Sequence, residues 1–166
     1  KGQEFNGFSS NGVNHITLLP FTRMLSGPMD YTPGIFQLNN FRFKSPDNKV
    51  IDNAAIVPST ITKELALYVI MYSPMQMAAD LPEHYLKHPQ AFEFIKNVPV
   101  DWSEKVVIDS KIGSHIILAR KDKFSENWYL GGITNQESRT VKLDFTFLED
   151  DKIYNLNIFQ DTDNTH

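Results

Sequence analysis

The rhythm of apolar and polar positions changes near residue 100, and the two halves of the chain predict different elements. In the first half, "TITKELALYVIMY" (60–72) predicts a helix: Ser59 or Thr60 is placed to cap it, and Glu64 falls in the first turn. Its apolar residues cover nearly every face, so it is expected to be buried on both sides. "SPMQMAAD" (73–80) follows as a short apolar run ending in Asp80, expected as a buried strand with a polar residue at its mouth. "PEHYLKHPQAFEFIKNV" (82–98) is amphipathic, with Tyr85, Phe92 and Ile95 facing inward and Pro89 breaking it in two. Helix, strand, helix is an α/β rhythm.

After Trp102 the period becomes two. "KVVID", "SHIILAR", "NWYLGGIT", "TVKLDFTF" and "YNLNIF" are short β-branched or aromatic runs, separated by the turn-like "DSKIG", "KFSEN", "NQES" and "LEDDK". In "TVKLDFTF", Val141, Leu143, Phe145 and Phe147 fall on one face and Lys142, Asp144 and Thr146 on the other. This half predicts an antiparallel β-sandwich. The passage between the halves, "VPVDWSEK" (98–105), has no flexible linker, so the two parts are expected to pack closely.

Composition narrows the function classes. The chain has 166 residues, a net charge of -4 and 22% charged residues, with Lys and Arg scattered singly rather than striped, so no electrostatic footprint for nucleic acid is visible. There is no Cys, which removes thiolate nucleophiles, disulfides and Cys-based metal sites. The longest apolar run, "LALYVIMY" (65–72), is far short of the ~20 residues that a membrane helix needs. The chain opens on "KGQEFNGF", without an initiating Met or an apolar signal core, and the native start is expected upstream.

Four stretches, "GQEFNGF", "HITLLPFTRMLSGPMDYTPGIF", "LALYVIMYSPMQMAADLPEHY" and "ARKDKFSENWYLGGITNQESRTVKLDF", resemble in that order the C-terminal third of glycoside hydrolase family 97. That family comprises calcium-dependent α-glucosidases and α-galactosidases with an N-terminal β-sandwich, a (β/α)8 barrel and a C-terminal β-sandwich. The fold class implied is α/β plus all-β: residues 1–100 as the last part of the catalytic (β/α)8 barrel, then residues 101–166 as an incomplete C-terminal β-sandwich domain. A (β/α)8 barrel needs about 200 to 250 residues, and about 100 precede the β-rich half, so the chain reads as a fragment of a larger enzyme. The resemblance further implies a periplasmic or secreted location. It also implies Ca2+ bound through carboxylates upstream of this chain, with no metal ligand within it.

By the same resemblance, "KGQE" matches a family motif like "RGQE", with Lys1 in place of Arg, and makes Glu4 the general acid that protonates the departing sugar oxygen. That role needs a carboxyl group still protonated near neutral pH, which apolar neighbours such as Phe5 and Phe8 favour by disfavouring the charged form. The second carboxylate that such hydrolysis needs is expected upstream. Asn6 beside Glu4 and His15 are candidate sugar contacts, the alternative for His15 being a structural hydrogen bond. "LPFTRMLSGPMDYTPG" (19–34) packs Pro turns, a Gly-Pro pair, Arg23 and Asp30 into sixteen residues, and is expected to hold a sharp turn over the barrel mouth through fixed dihedrals and a buried Asp. Asp80 is either a substrate-facing carboxylate or a cap on "PEHY". Asp161 and Asp163 lack the Gly and final Glu of a calcium loop and read as a surface turn. Trp102 and Trp128 read as packing residues rather than sugar platforms. The function expected is hydrolysis of α-linked gluco- or galacto-oligosaccharides. The alternative is a non-catalytic carbohydrate-binding or structural β-sandwich module. The expected partners are oligosaccharide, the missing N-terminal part of the polypeptide, or further copies in a homo-oligomer.

Overall fold

In the computed structural model, which describes residues 12–39, 43–44, 47, 50–51 and 57–161, the longest helix starts where its capping residue stands. Thr60 is extended, and its side-chain oxygen accepts the Lys63 N–H at 3.1 Å, supplying one of the partners that a helix start lacks. Helix α2 then runs Ile61–Ile70, preceded by a one-turn helix α1 (Val13–Ile16) and two short 3₁₀ turns (Leu19–Phe21 and Arg23–Ser26). Between α1 and α2 lies a minimal antiparallel ladder, β1 (Phe43–Lys44) with β2 (Val50–Ile51), which the sequence pattern did not announce. The amphipathic stretch divides as expected into α3 (Pro82–Tyr85) and α4 (Pro89–Asn97), with Pro89 in the first turn of α4, where its missing N–H costs nothing.

The β-rich half forms one antiparallel meander: β3 (Trp102–Lys111), β4 (His115–Asp122) and β5 (Trp128–Thr134), in the order β3-β4-β5. Gly113, at φ 69°, supplies the left-handed residue of the β3–β4 turn. Strand β4 is central and buried on both faces, with Ala119 fully enclosed.

Helix α2 lies across one face of this sheet. Leu67, Tyr68, Val69 and Ile70 are each at most 1% exposed, and burial of each such side chain contributes roughly 1.5–3 kcal/mol. They share a continuous core with Ile16 and Tyr31 on one side and Ile116, Leu118 and Ile133 on the other, so the two halves do pack closely. A second cluster, around Phe36, Leu65 and Tyr85, fills the space between α2, α3 and α4. There Tyr85 stacks on Phe92 at 4.7 Å and meets Phe36 edge-on at 5.0 Å.

Three expectations are corrected. Residues 73–80 are not a strand: Ala79 N–H donates to Pro33 O, and Gln76 Nε2 donates to Tyr68 O and Met71 O, so the segment is tied by single bonds to a loop and a helix end rather than to a neighbouring strand. "TVKLDFTF" and "YNLNIF" are not in strands either. In the first, bonds from Thr146 N–H to Asp144 Oδ1 and from Leu148 N–H to Phe145 O bend the chain locally, and among the described residues no neighbouring strand is offered to either run. Among the described residues the expected β-sandwich is one three-stranded sheet covered on one face by α2. Asp30 is exposed rather than buried; the turn before it is held by Gly27, at φ 113°, and by Arg23 Nη2 donating to Pro28 O. Every strand pair among the described residues is antiparallel.

Candidate functional site

Of the residues singled out for chemistry, Glu4 and Asn6 lie outside the described residues, as does Asp163. His15 sits in α1, half-buried, with its backbone N–H on Gly12 O; its ring makes no hydrogen bond to a described residue. Thr17 beside it is fully buried and donates its hydroxyl to Asn14 O at 2.9 Å, closing the turn that carries His15.

What the structure does assemble is a polar clamp on the loop at 33–37, built by α2, α3 and the segment before α3. Gly34, at φ 90°, presents its N–H to Glu64 Oε2 at 2.9 Å. Glu64 is fully buried, and its other carboxylate oxygen accepts the Ser59 hydroxyl. An ionisable group is tolerated at such depth only because its lone pairs are filled. The Tyr68 hydroxyl donates toward Pro33 O at 3.2 Å and Met77 O at 3.0 Å, so it bridges the loop to the 73–80 segment. Burial, with smaller effects from Tyr85 and Glu64, pushes that phenol well above its ordinary range. Tyr85 donates to Gly34 O at 2.8 Å and accepts the Asp80 N–H; burial is the main reason its pKa is pushed up to about 12.

Asp80 closes the clamp from the other side. Its Oδ2 accepts the N–H groups of Phe36 at 2.7 Å and Gln37 at 2.6 Å, and its Oδ1 accepts Leu81 N–H and meets His84 Nδ1. Burial pushes its carboxyl up, but the His84 contact and the three backbone donors outweigh that and hold it below the usual carboxylate range. Asp80 is thus neither free to face a substrate nor the N-cap of α3, a position occupied by Leu81. Sequence reasoning missed Glu64 and the two tyrosines as members of this clamp. The available signal was a lone carboxylate in a helix that is otherwise apolar all round.

The remaining candidates resolve as packing. Trp102 meets Tyr129 edge-on at 5.7 Å and lies beneath the Arg120 guanidinium at 5.9 Å; Trp128 packs on Phe147 at 4.8 Å. Asp161 accepts the Thr60 hydroxyl at 2.8 Å. Arg120, 7% exposed, donates from Nε to Val69 O at 2.7 Å near the end of α2 and stacks on Tyr72 as well, which ties the sheet to the helix. On the opposite face of the sheet, a cleft of about 200 Å³ is lined by His115, Ile117, Gly132, Thr134, Arg139 and Val141. Its lining holds no carboxylate and no Trp, Tyr or Phe side chain, so it is not built like a sugar-cleaving centre.

Comparison with known proteins supplies what this geometry cannot. Residues 101–166 match the family model described as "Glycosyl-hydrolase 97 C-terminal, oligomerisation". A retaining alpha-galactosidase of Bacteroides thetaiotaomicron is 36% identical over 159 residues, covering 95% of this chain and 23% of that protein. Among solved structures, a glycoside hydrolase family 97 enzyme from Pseudoalteromonas sp. strain K8, in complex with acarbose, superposes with a TM-score of 0.77 at 46% identity; the match covers 91% of this chain and 23% of that one. A beta-arabinopyranosidase matches at a TM-score of 0.61 and 27% identity, covering 80% of this chain and 19% of its own. The chain spans 23% of the length of the first two of these relatives. It belongs to glycoside hydrolase family 97 and carries the C-terminal domain of that family.

Proposed function

We propose that this chain is the C-terminal part of a glycosidase that hydrolyses α-linked gluco- or galacto-oligosaccharides. In this reading residues 1–100 contribute the last elements of a (β/α)8 barrel, with Glu4 as general acid and Asn6 and His15 as sugar contacts. Residues 101–166 serve assembly. The observation that carries the reading is the 46% identity over 91% of the chain with a glycoside hydrolase family 97 enzyme solved in complex with acarbose. The family likeness is also what supports a periplasmic or secreted location; no helix among the described residues is long and apolar enough to cross a membrane.

In such a reaction Glu4 delivers a proton to the leaving oxygen as the glycosidic bond breaks, and a second carboxylate upstream completes the pair across that bond. The clamp of Glu64, Tyr68, Asp80 and Tyr85 does no chemistry. Its task is to fix the loop at 33–37 with two buried carboxylates, so that the backbone there keeps one shape. The family likeness is what supports Ca2+ held by carboxylates upstream of this chain, and no step is derived through it.

The test is Glu4→Gln in the full-length polypeptide. A general acid matters in proportion to the leaving group's need for a proton, so hydrolysis of unactivated α-glycosides should fall by about 10²–10⁴-fold, whereas activated nitrophenyl glycosides should lose far less. Equal losses on both would remove Glu4 from the role. The alternative, a non-catalytic module, is separated by a glycan-binding assay on the 166-residue chain: the absence of Trp, Tyr and Phe side chains from the cleft leads us to expect no binding there.

A further inference from the structure

Residues 29–36 lie outside the helices and strands of the fold, yet seven of the eight are buried, and the exception is Asp30. Such a segment has no ladder to hold it, so its backbone groups are bonded one by one to other elements. Met29 N–H donates to Tyr72 O at 3.2 Å, and the Pro33 and Gly34 carbonyls accept the Tyr68 and Tyr85 hydroxyls. The N–H groups of Gly34 and Phe36 donate to Glu64 and Asp80. The backbone is bent on either side of Asp30 by Gly27, at φ 113°, and Gly34, at φ 90°.

Two of these anchors are carboxylates taken out of water: Glu64 is fully buried, and the Asp80 side chain is 4% exposed. Apolar side chains would bury the same loop without that desolvation penalty. What charged hydrogen bonds add is direction, and with it a fixed place for the backbone they hold. A group that contacts substrate needs its geometry held to about half an ångström, by packing and by bonds from a further set of residues behind it. The one side chain that this segment turns away from the core is a carboxylate.

We propose that Asp30 is a substrate-contacting carboxylate of the glycosidase, accepting hydrogen bonds from hydroxyl groups of the sugar, and that Asp80 is a positioning residue acting through it. The proposal rests on the reading that this chain is part of a glycosidase of α-linked oligosaccharides. A carboxylate offers about four lone-pair sites on two oxygens, so it accepts two neighbouring sugar hydroxyls at once and still keeps a bond within the protein. Loops carried by a rigid scaffold are where binding groups concentrate. Bonds to sugar hydroxyls strengthen as the ring becomes oxocarbenium-like, so Asp30 contributes more in the transition state than in the bound ground state.

The experiment is steady-state kinetics of the full-length polypeptide on the nitrophenyl α-glucoside or α-galactoside that the wild type turns over, and on the monodeoxy forms of that substrate, each lacking one hydroxyl. Asp30→Asn and Asp30→Ala are expected to lower kcat/KM about 10–100-fold, with part of the loss in kcat, and to leave Tm within about 2 °C of wild type. On a monodeoxy form that lacks a contacted hydroxyl, Asp30→Ala and wild type should differ by less than about threefold, since the bond is already gone. Asp80→Asn, assayed well below its Tm, should lower kcat/KM about 3–10-fold in the wild-type background and not at all in Asp30→Ala. Unchanged kinetics in both Asp30 variants, an equal loss on every monodeoxy form, or a fall in Tm without loss of kcat/KM overturns the contact and leaves the glycosidase reading standing. Additive losses for Asp80 and Asp30 overturn the coupling between them. A wild type inactive on every α-glycoside overturns the glycosidase reading and this proposal with it.

Discussion

Replacement of Gly131 by Ala tests the contact on which the whole arrangement depends. A Cβ at Gly131 would lie 3.0 Å from Ala66 O, 3.0 Å from Val69 Cβ and 3.3 Å from Ile70 Cγ1, all on α2. Carbon atoms rest comfortably about 3.5–4.0 Å apart, so α2 must retreat from β5 by roughly half an ångström along its buried face. Overpacking of this kind costs about 1–3 kcal/mol, and the strand's gain from losing a Gly offsets roughly 0.5–1 of that. The expected net loss is about 1–2 kcal/mol, or roughly 2–8 °C in Tm for a chain of this size. Gly132→Ala is the internal control. Its Cβ meets only Ile117 Cγ1, at 3.3 Å, beside the open cleft, so it should be neutral or slightly stabilising. Urea unfolding of both variants at equal m-value measures the difference. If Gly131→Ala is as stable as Gly132→Ala, the close approach of α2 to the sheet is not what holds the two halves together.

Two further outcomes follow from the buried polar groups. The Asp80 carboxyl titrates below its ordinary value of 3.8 in the fold, so its contribution is complete above pH about 5 and fades as the pH falls through 3.8 and below. Asp80→Asn should cost about 2 kcal/mol at pH 7 by weakening charge-assisted bonds, and should flatten the acid limb of a stability-versus-pH curve; an unchanged limb would mean that another carboxylate governs it. Arg120→Lys should lose the Nε bond to Val69 O together with the stacking on Tyr72 and Trp102, lowering stability by about 2 kcal/mol in thermal unfolding; retention of wild-type Tm would show that the cationic charge alone suffices.

Local signals in the sequence were sufficient for a definable set of elements. The Thr60 cap, the all-round apolar face of 61–70, Pro89 as a helix start and the three period-two runs ending at 134 each depend on a few neighbouring residues, and each is found in the fold. The family was legible too, because motif residues are covalently ordered and survive without knowledge of their contacts.

What the sequence could not show depends on partners distant along the chain. "SPMQMAAD" has the apolar content of a strand, yet only the loop at 33–37 and the end of α2 determine that its polar groups bond singly to them. "TVKLDFTF" has strand periodicity, but a strand exists only where a second backbone lies beside it, and periodicity does not say whose. Asp80 and Glu64 look like any carboxylates in the sequence. That one collects the N–H groups of Phe36 and Gln37, from 44 and 43 residues away, and the other that of Gly34, from 30, is decided by tertiary structure alone. The sequence by itself determined helices α2, α3 and α4, the three paired strands and the family. The fold alone decided which polar groups are buried and what satisfies them, since burial is a property of what the rest of the chain places around a residue.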